Sequence, residues 1–457
     1  MNPPDLEIRV PLGLGYKLIS AINQSGRHEQ VAFCLVAQAR IANKEVLLVQ
    51  EVLTLPERAY LKDDSVGGAW RGSDMLPAIQ AAMLAGNGLL LVHAHPKGFA
   101  NLSRPDEENA RRLLPMFQRR VPSATHGSIV IAGTQAGGVL TTPDSTLRRV
   151  NPVLRLLGAS IMDWGADVES RDGIDEHLDG SLIASQGRLQ RWRVAVVGLS
   201  GGGGHVVQQL ARLGVGTIIG IDDDLAENRN AHKIVGLKPD HLSRQARKVD
   251  VMEELVREAS CGARFVAVPH RVPSPEALEA LKSADVIVGC LDNLHTRADL
   301  QEIAWRFAIP YIDIGVSIRI SQRGLAIAAG NVLTLIPGGF CMWCAGFLSD
   351  LKLREELGTA RNRSYLENRT GEAQVISFNG LVASQAVNEV LQLLTGFNGQ
   401  SIDPQEIRAA HDPSLQRGYR KFDSTRGELR DWGARRRDDC RCCGSLLGRA
   451  AVNWAIP

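Results

Sequence analysis

Residues 193–224 read RVAVVGLSGGGGHVVQQLARLGVGTIIGIDDD, and this stretch decides the fold of the larger part of the chain. The β-forming run RVAVV enters a glycine turn, HVVQQLARLG follows with helical spacing, and TIIGI closes on three aspartates. Strand, turn, amphipathic helix and strand in that order form a βαβ unit, whose two strands lie parallel because the helix carries the chain back across the sheet. Gly198, Gly201, Gly202, Gly203 and Gly204 open the helix. Lacking side chains, they allow a tight turn and bring backbone N–H groups toward phosphate oxygens at the positive helix end. The turn alone suits NAD or FAD equally, although GLSGGGG departs from the usual dinucleotide spacing.

The pattern continues outward. VDVMEELVREAS (249–260) reads as a helix, ADVIVGCLDN (284–293) as a further strand, GLAIAAGNVLTLIP (324–337) as paired strands, and NGLVASQAVNEVLQLLTG (379–396) as a long helix ended by Gly396. An α/β fold with a Rossmann-like, mostly parallel sheet is predicted over 191–457. Toward the N-terminus, EQVAFCLVAQAR (29–40), EVLLVQEVLTL (45–55) and NGLLLVHAHP (87–96) are strand-length apolar segments, and GSIVIAGTQAGGVL (127–140) reads as a hairpin bending at Gly137 and Gly138. Residues 1–150 therefore form a separate compact unit, and 151–190, with its charged run ESRDGIDEHLD, a linker or docking segment.

Composition narrows the function. With 52 basic against 50 acidic residues the net charge is +2, so no global field favours nucleic acid, and the run Arg435–Arg437 is offset at once by Asp438 and Asp439. The start MNPPDLEIRV lacks the basic and apolar regions of a secretory signal, and no apolar stretch reaches the ~20 residues of a membrane span; a cytoplasmic protein without membrane contact is expected. In such a compartment the clustering of Cys341 with Cys344, and of Cys440 with Cys442 and Cys443, suggests metal rather than disulfides.

In HAHPKGFANLSRPD (93–106), His93 and His95 alternate at a strand end and Asp106 follows. Two imidazoles and a carboxylate give zinc three ligands and leave a position open for hydrolysis; a histidine pair beside an ordinary capping aspartate is the bland alternative. The segment resembles the JAMM metalloprotease motif, HxHP followed by SxxD with seven residues intervening after the second histidine, matched by His93, His95, Pro96, Ser103 and Asp106. The resemblance implies a JAMM/MPN-like domain with catalytic zinc, Glu29 as general acid and base, and Ser103 stabilising the tetrahedral oxyanion. Glu45 and Glu51 are weaker choices for the base, and His126 is expected to be structural or near the substrate rim.

The text after the glycine turn, IIGIDDDLAENRNAHK (218–233), resembles the IVDxDxVExSNLxRQ region of the ThiF, MoeB and ubiquitin-activating family, with Asp222, Asp224, Glu227 and Asn230 in place. The resemblance extends to Lys248 in RQARKVD and to Asp292 in GCLDNLHTR. It implies ATP as cofactor, Asp222 near the ribose, Asn230 and Asp224 in the adenylation centre, Lys248 countering phosphate charge and Asp292 holding Mg²⁺. Lys233 departs from the family, standing where an arginine is usual, and removes a bidentate phosphate contact. Arg297 braces the loop, Arg171 is a candidate for the family's additional arginine, contributed by a second subunit, and Arg191 and Arg193 flank the first strand.

CMWC (341–344) brings two thiolates to one metal, and Cys440 with Cys443 supplies a second pair; the same family carries such a split structural zinc site. Cys442 is left either as an alternative ligand or as a reactive thiol. No cysteine lies between Cys344 and Cys440, where thioester-forming relatives place one, and Ser364 and Thr370 lack an identifiable base. Together the two resemblances imply zinc-dependent processing or deconjugation, and ATP-dependent C-terminal adenylation, of a small ubiquitin-like protein. Activation of a sulfur carrier for cofactor or metabolite synthesis, and a non-catalytic binding scaffold, are the alternatives. A homodimer through the adenylating domain, and a conjugating enzyme or sulfur donor as partner, are also implied.

Overall fold

A computed structural model of the chain describes residues 6–22, 30–60, 70–95, 99–141, 146–165, 189–259, 261–320, 326–363, 375–396, 418–423 and 426–450. Glu29, Pro96, Arg171, Ser364 and Thr370 lie outside the described residues. Two sheets dominate.

The first has nine strands: β1 (Leu6–Val10), β2 (Val31–Ile41), β3 (Lys44–Thr54), β4 (Gly88–Ala94), β5 (His126–Ala132), β6 (Gln135–Thr141), β7 (Leu147–Val150), β8 (Val153–Leu157) and β9 (Ile161–Trp164), in the spatial order 7-6-5-4-2-3-1-8-9. Helices α1 (Leu14–Ile22), α2 (Leu76–Ala85) and α3 (Arg104–Arg120) accompany it. One face closes over Val36, Val49, Leu90 and Ile129, the other over Phe33, Leu91, Leu114 and Phe117. Being covered on both sides, β4 is buried at every position, with the apolar run LLLV leading to His93, rather than alternating.

Two readings of this half change. The hairpin bends at Gly133, which takes a positive φ of 60°, while Gly137 and Gly138 sit inside β6 opposite Val130 and Ile129. Paired glycines marked a close approach here, not a turn. A Cβ on Gly137 would lie 1.9 Å from the carbonyl oxygen of Ala100, so the missing side chain lets the loop before α3 rest on the sheet. The stretch read as a linker also begins with structure, because β8 pairs with β1 and β9 with β8.

The second sheet has eight strands: β10 (Arg193–Val197), β11 (Thr217–Ile221), β12 (Arg264–Val268), β13 (Val286–Gly289), β14 (Tyr311–Ile320), β15 (Ala326–Leu335), β16 (Tyr419–Asp423) and β17 (Glu428–Asp431), ordered 12-11-10-13-14-15-16-17. Strands 12 to 14 in that order are parallel, and the remainder extend the sheet antiparallel. GLAIAAGNVLTLIP, expected as paired strands, forms over Ala326–Leu335 a single strand lying between β14 and β16; its Gly330 fits beneath Val382 rather than turning. The helices are α4 (Gly201–Arg212), α5 (Lys248–Ala259), α6 (Pro275–Lys282), α7 (Leu294–Arg306), α8 (Asp350–Arg363) and α9 (Ile376–Thr395), the last ended by Gly396 in the left-handed conformation. Among the described residues no helix is long and apolar enough to cross a membrane.

The halves share a core. Ile41, Val46, Leu48, Leu157 and Ile161 are buried in one cluster with the second sheet. Arg155 locks the junction: its guanidinium meets both oxygens of Asp163 at 2.9 and 3.1 Å, lies 3.3 Å from Glu7, pairs with Asp285 across the boundary and sits over the Trp192 ring. Burial pushes the Glu7 carboxyl up, but Arg155 and Arg9 outweigh it and bring its pKa to about 2. Arg9 also donates to the Phe307 carbonyl at 2.8 Å.

Candidate functional site

The strand order of the second sheet reverses between β10 and β13, and crevices at such points are where open α/β sheets take ligands. The glycine turn leaves β10, and the Asp292 loop leaves β13, on the two sides of this point. Gly198 has a φ of 86°, and a Cβ on Gly203 would lie 1.9 Å from the Gly198 carbonyl oxygen, so the turn closes on itself as only glycine permits.

Asp222, at the end of β11, accepts hydrogen bonds from Leu199 N–H at 2.7 Å and Asp224 N–H at 2.9 Å. It thus ties the glycine turn to the acidic loop, and burial raises its pKa against the pull of Lys248. Lys248, at the start of α5, donates to Asp224 Oδ2 at 2.5 Å. Asn230 is buried in a single 3₁₀ turn, where its carbonyl accepts from Lys233 N–H at 3.0 Å. Burial lowers the pKa of Lys233, as does Lys248, while Asp292 works the other way. Lys233, Lys248 and Asp292, from three separate segments, therefore share one electrostatic neighbourhood. Asp292 itself is exposed, and Arg191 stacks on Trp192 while Arg193 holds Ser283, both as flanking residues.

The four sulfurs of Cys341, Cys344, Cys440 and Cys443 lie within 4.8 Å of one another, with Cys341 3.5 Å from Cys440 and Cys344 3.6 Å from Cys443. Four converging thiols from two distant segments are the donor set of a structural zinc site. Cys442 is 2% exposed beside them.

In the first half, one ligand atom each from His93, His95 and Asp106 also falls within 4.8 Å of the others. Asp106 stands 3.4 Å from His93 Nε2 and 3.3 Å from His95 Nε2, at the start of α3. Burial pushes its carboxyl up, but hydrogen bonds with His93 and Ser103 outweigh this and hold it well below the carboxylate range. Ser103 caps α3: its backbone N–H and hydroxyl both donate to Asp106 Oδ2, at 2.8 and 2.5 Å. Capping and ligand geometry thus coincide in one carboxylate. Val31, two residues beyond Glu29, pairs with His93 across the sheet. Glu45 is taken up by Arg148, and His126 is fully buried, bridging Leu89 N–H and the Val121 carbonyl as a structural residue.

Residues 175–442, more than half of the chain, match the model described as ThiF family. The chain belongs to the ThiF family. It is 31% identical over 185 residues to the SAMP-activating enzyme E1 of Haloferax volcanii, covering 40% of this chain and 64% of that protein. It is 29% identical over 225 residues to the adenylyltransferase and sulfurtransferase UBA4 of Meyerozyma guilliermondii, covering 49% and 48%. The chain thus spans less than two thirds of the length of these relatives. The crystal structure of E. coli MccB with succinimide aligns over 57% of this chain and 70% of that one, at 20% identity and a TM-score of 0.43.

The ThiF match begins after the His93, His95 and Asp106 cluster, whose reading rests on its own geometry. Within the ThiF-family half, sequence reading missed Asp313 and Glu356. Asp313 is fully buried and pairs with Arg297, which also donates to the Leu291 and Ile314 carbonyls. Burial raises the Asp313 pKa to about 6 against that pairing. An acid at the end of an apolar strand, YIDIGV, was the available signal for Asp313. Glu356 gave none, being one of several charged residues on a polar helix.

Proposed function

We propose that this protein adenylates the C-terminal carboxylate of a small carrier protein with ATP and Mg²⁺, and that the carrier serves sulfur transfer. The observation that carries the reading is the tie between the glycine turn and the acidic loop, with Asp222 accepting from Leu199 N–H and Lys248 bridging Asp222 and Asp224, within the matched ThiF region. Relatives whose names speak of sulfurtransferase activity, and the E. coli sulfur carrier protein ThiS adenylyltransferase, 26% identical over 135 residues, favour a sulfur carrier over a conjugation pathway.

In this reaction the carrier carboxylate attacks the α-phosphate, forming the acyl–phosphate bond as the bond to pyrophosphate breaks. The turn N–H groups at the head of α4 face the phosphates, and the Lys248 and Lys233 ammonium groups offset charge on the oxygens of the leaving group. Asp292 is the residue to hold Mg²⁺, which supplies charge neutralisation when bound. The resulting acyl-adenylate is open to a sulfur nucleophile. Purified carriers ending in a glycine pair should stimulate ATP–pyrophosphate exchange and yield the adenylate by intact mass; no exchange with any carrier would favour a binding scaffold.

A second activity of the first half is favoured by the convergence of His93, His95 and Asp106. These residues fit zinc, which would supply Lewis acidity, and Glu29 is the residue to move protons. Hydrolysis of residues beyond the carrier's terminal glycines, or of a carrier–target bond, would then expose the tail that the other half activates. E29Q should keep zinc and lose hydrolysis by about 100-fold or more. Normal cleavage by metallated E29Q would remove Glu29 from this role.

A further inference from the structure

Helix α7 begins directly after Asp292, and its first N–H groups need acceptors. Asn293 caps Thr296 N–H at 2.8 Å, but Leu294 and His295 are served from elsewhere in the chain. The Glu356 carboxylate, on α8, accepts from Leu294 N–H at 2.8 and 3.0 Å and from His295 N–H at 3.2 Å, and lies 2.7 Å from His295 Nδ1. A carboxylate at a helix N-terminus is favoured by the helix dipole as well as by these bonds. On the other sequence flank of Asp292, the Leu291 carbonyl accepts a hydrogen bond from Arg297. The segment 291–295 is therefore gripped on both flanks, and the exposed Asp292 side chain stands between the grips.

We propose that Glu356 is a positioning residue of the adenylating reaction: by anchoring Leu294 and His295 it fixes the loop so that the Asp292 carboxylate is held where magnesium and the nucleotide phosphates meet. The inference rests on the adenylating function proposed above. Its physical basis is preorganisation, since a carboxylate on an unanchored loop must be ordered each time the metal-nucleotide binds. The helix bearing Glu356 has its own anchors. Lys352 Nζ donates to the Gly346 and Phe347 carbonyls at 2.7 and 3.0 Å, and Asp350 pairs with Arg441 at 2.9 Å, next to Cys440. Loss of the Glu356 carboxylate thus removes one of the two grips on the Asp292 loop while the helix remains tied to the thiol cluster.

Isothermal titration of the full-length chain with ATP, once in Mg²⁺ and once in EDTA, separates positioning from folding. E356A should weaken Mg·ATP binding about tenfold while metal-free ATP binding stays within about twofold, because only the metal-dependent part requires an oriented Asp292. E356Q, which keeps an amide oxygen to accept from the same N–H groups, should recover part of the loss. D350A, which loosens the same helix at its other end, should bind Mg·ATP as the unaltered protein does. Unchanged Mg·ATP binding by E356A would overturn the proposal, as would equal losses with and without metal. Failure of the unaltered protein to bind ATP in either condition would overturn the nucleotide reading itself, and this inference with it.

Discussion

Lys248 Nζ lies 2.5 Å from Asp224 Oδ2 and 3.5 Å from Asp222 Oδ1, so one buried ammonium group joins both ends of the acidic loop beside the glycine turn. Under the adenylating function proposed above, phosphate oxygens would replace or supplement these carboxylates. K248A and D292A should each lower carrier-stimulated ATP–pyrophosphate exchange by about 100-fold, with circular dichroism and zinc content unchanged. Full exchange by both variants would remove them from the site.

Lys233 gives the reaction a pH signature. Burial, reinforced by Lys248, lowers its pKa from the ordinary lysine value of 10.5, so the charged form is lost earlier as pH rises. Exchange should fall on the alkaline side as this ammonium deprotonates. K233R carries a guanidinium that does not deprotonate in this range and should move that limb to higher pH. Superimposable alkaline limbs for the two proteins would show that Lys233 charge is not used.

Metal analysis distinguishes the two clusters. The purified protein should hold about two zinc ions per chain, H95A about one, and C341S about one. Only C341S should lower the thermal midpoint of the adenylating half strongly, because the four thiols staple 341–344 to 440–443, whereas the His93 cluster sits on a strand and helix already packed. A single zinc in the unaltered protein, retained in H95A, would defeat the hydrolase reading.

Gly137 supplies a test of the first half that touches no ligand. G137A places a methyl 1.9 Å from the Ala100 carbonyl oxygen and must displace Ala100, three residues before Ser103. Such overpacking costs about 1–3 kcal/mol. Hydrolysis and the second zinc should be lost while pyrophosphate exchange is retained. Wild-type hydrolysis in G137A would show that the loop tolerates the shift.

The protein should activate its carrier without forming a thioester on itself. Cys34 and Cys442 are 1% and 2% exposed, Cys290 is half-buried with its thiol pushed well above the ordinary range, and four other cysteines face one another in the cluster. Cys261 donates to the Ala259 carbonyl at the end of α5, 3.1 Å away. A thioester needs an accessible thiolate. Incubation with ATP, Mg²⁺ and carrier, followed by intact mass before and after thiol treatment, should show no thiol-sensitive adduct; one lost in C442S would locate the error at Cys442.

Much of this was legible in the order of residues alone. The run RVAVVGLSGGGGHVVQQLARLGVGTIIGIDDD determined a parallel βαβ unit and its tight glycine turn, because periodicity and glycine placement are local properties that act within a few residues. The spacing of His93, His95 and Asp106 and of the two cysteine pairs likewise announced donor sets that the fold then gathers. What the tertiary structure alone decided are the relationships between segments far apart in the chain. Gly137 proved to be a contact for Ala100 instead of a turn, residues after 150 joined the first sheet, Arg155 bridged the halves through Asp163 and Asp285, and Glu356 reached the head of α7. None of these has a local signature, since a glycine, an arginine or a glutamate satisfies its own segment in several ways. Which one is realised depends on the carbonyls, carboxylates and N–H groups that packing brings opposite it, and on the cost of leaving those groups buried without a partner.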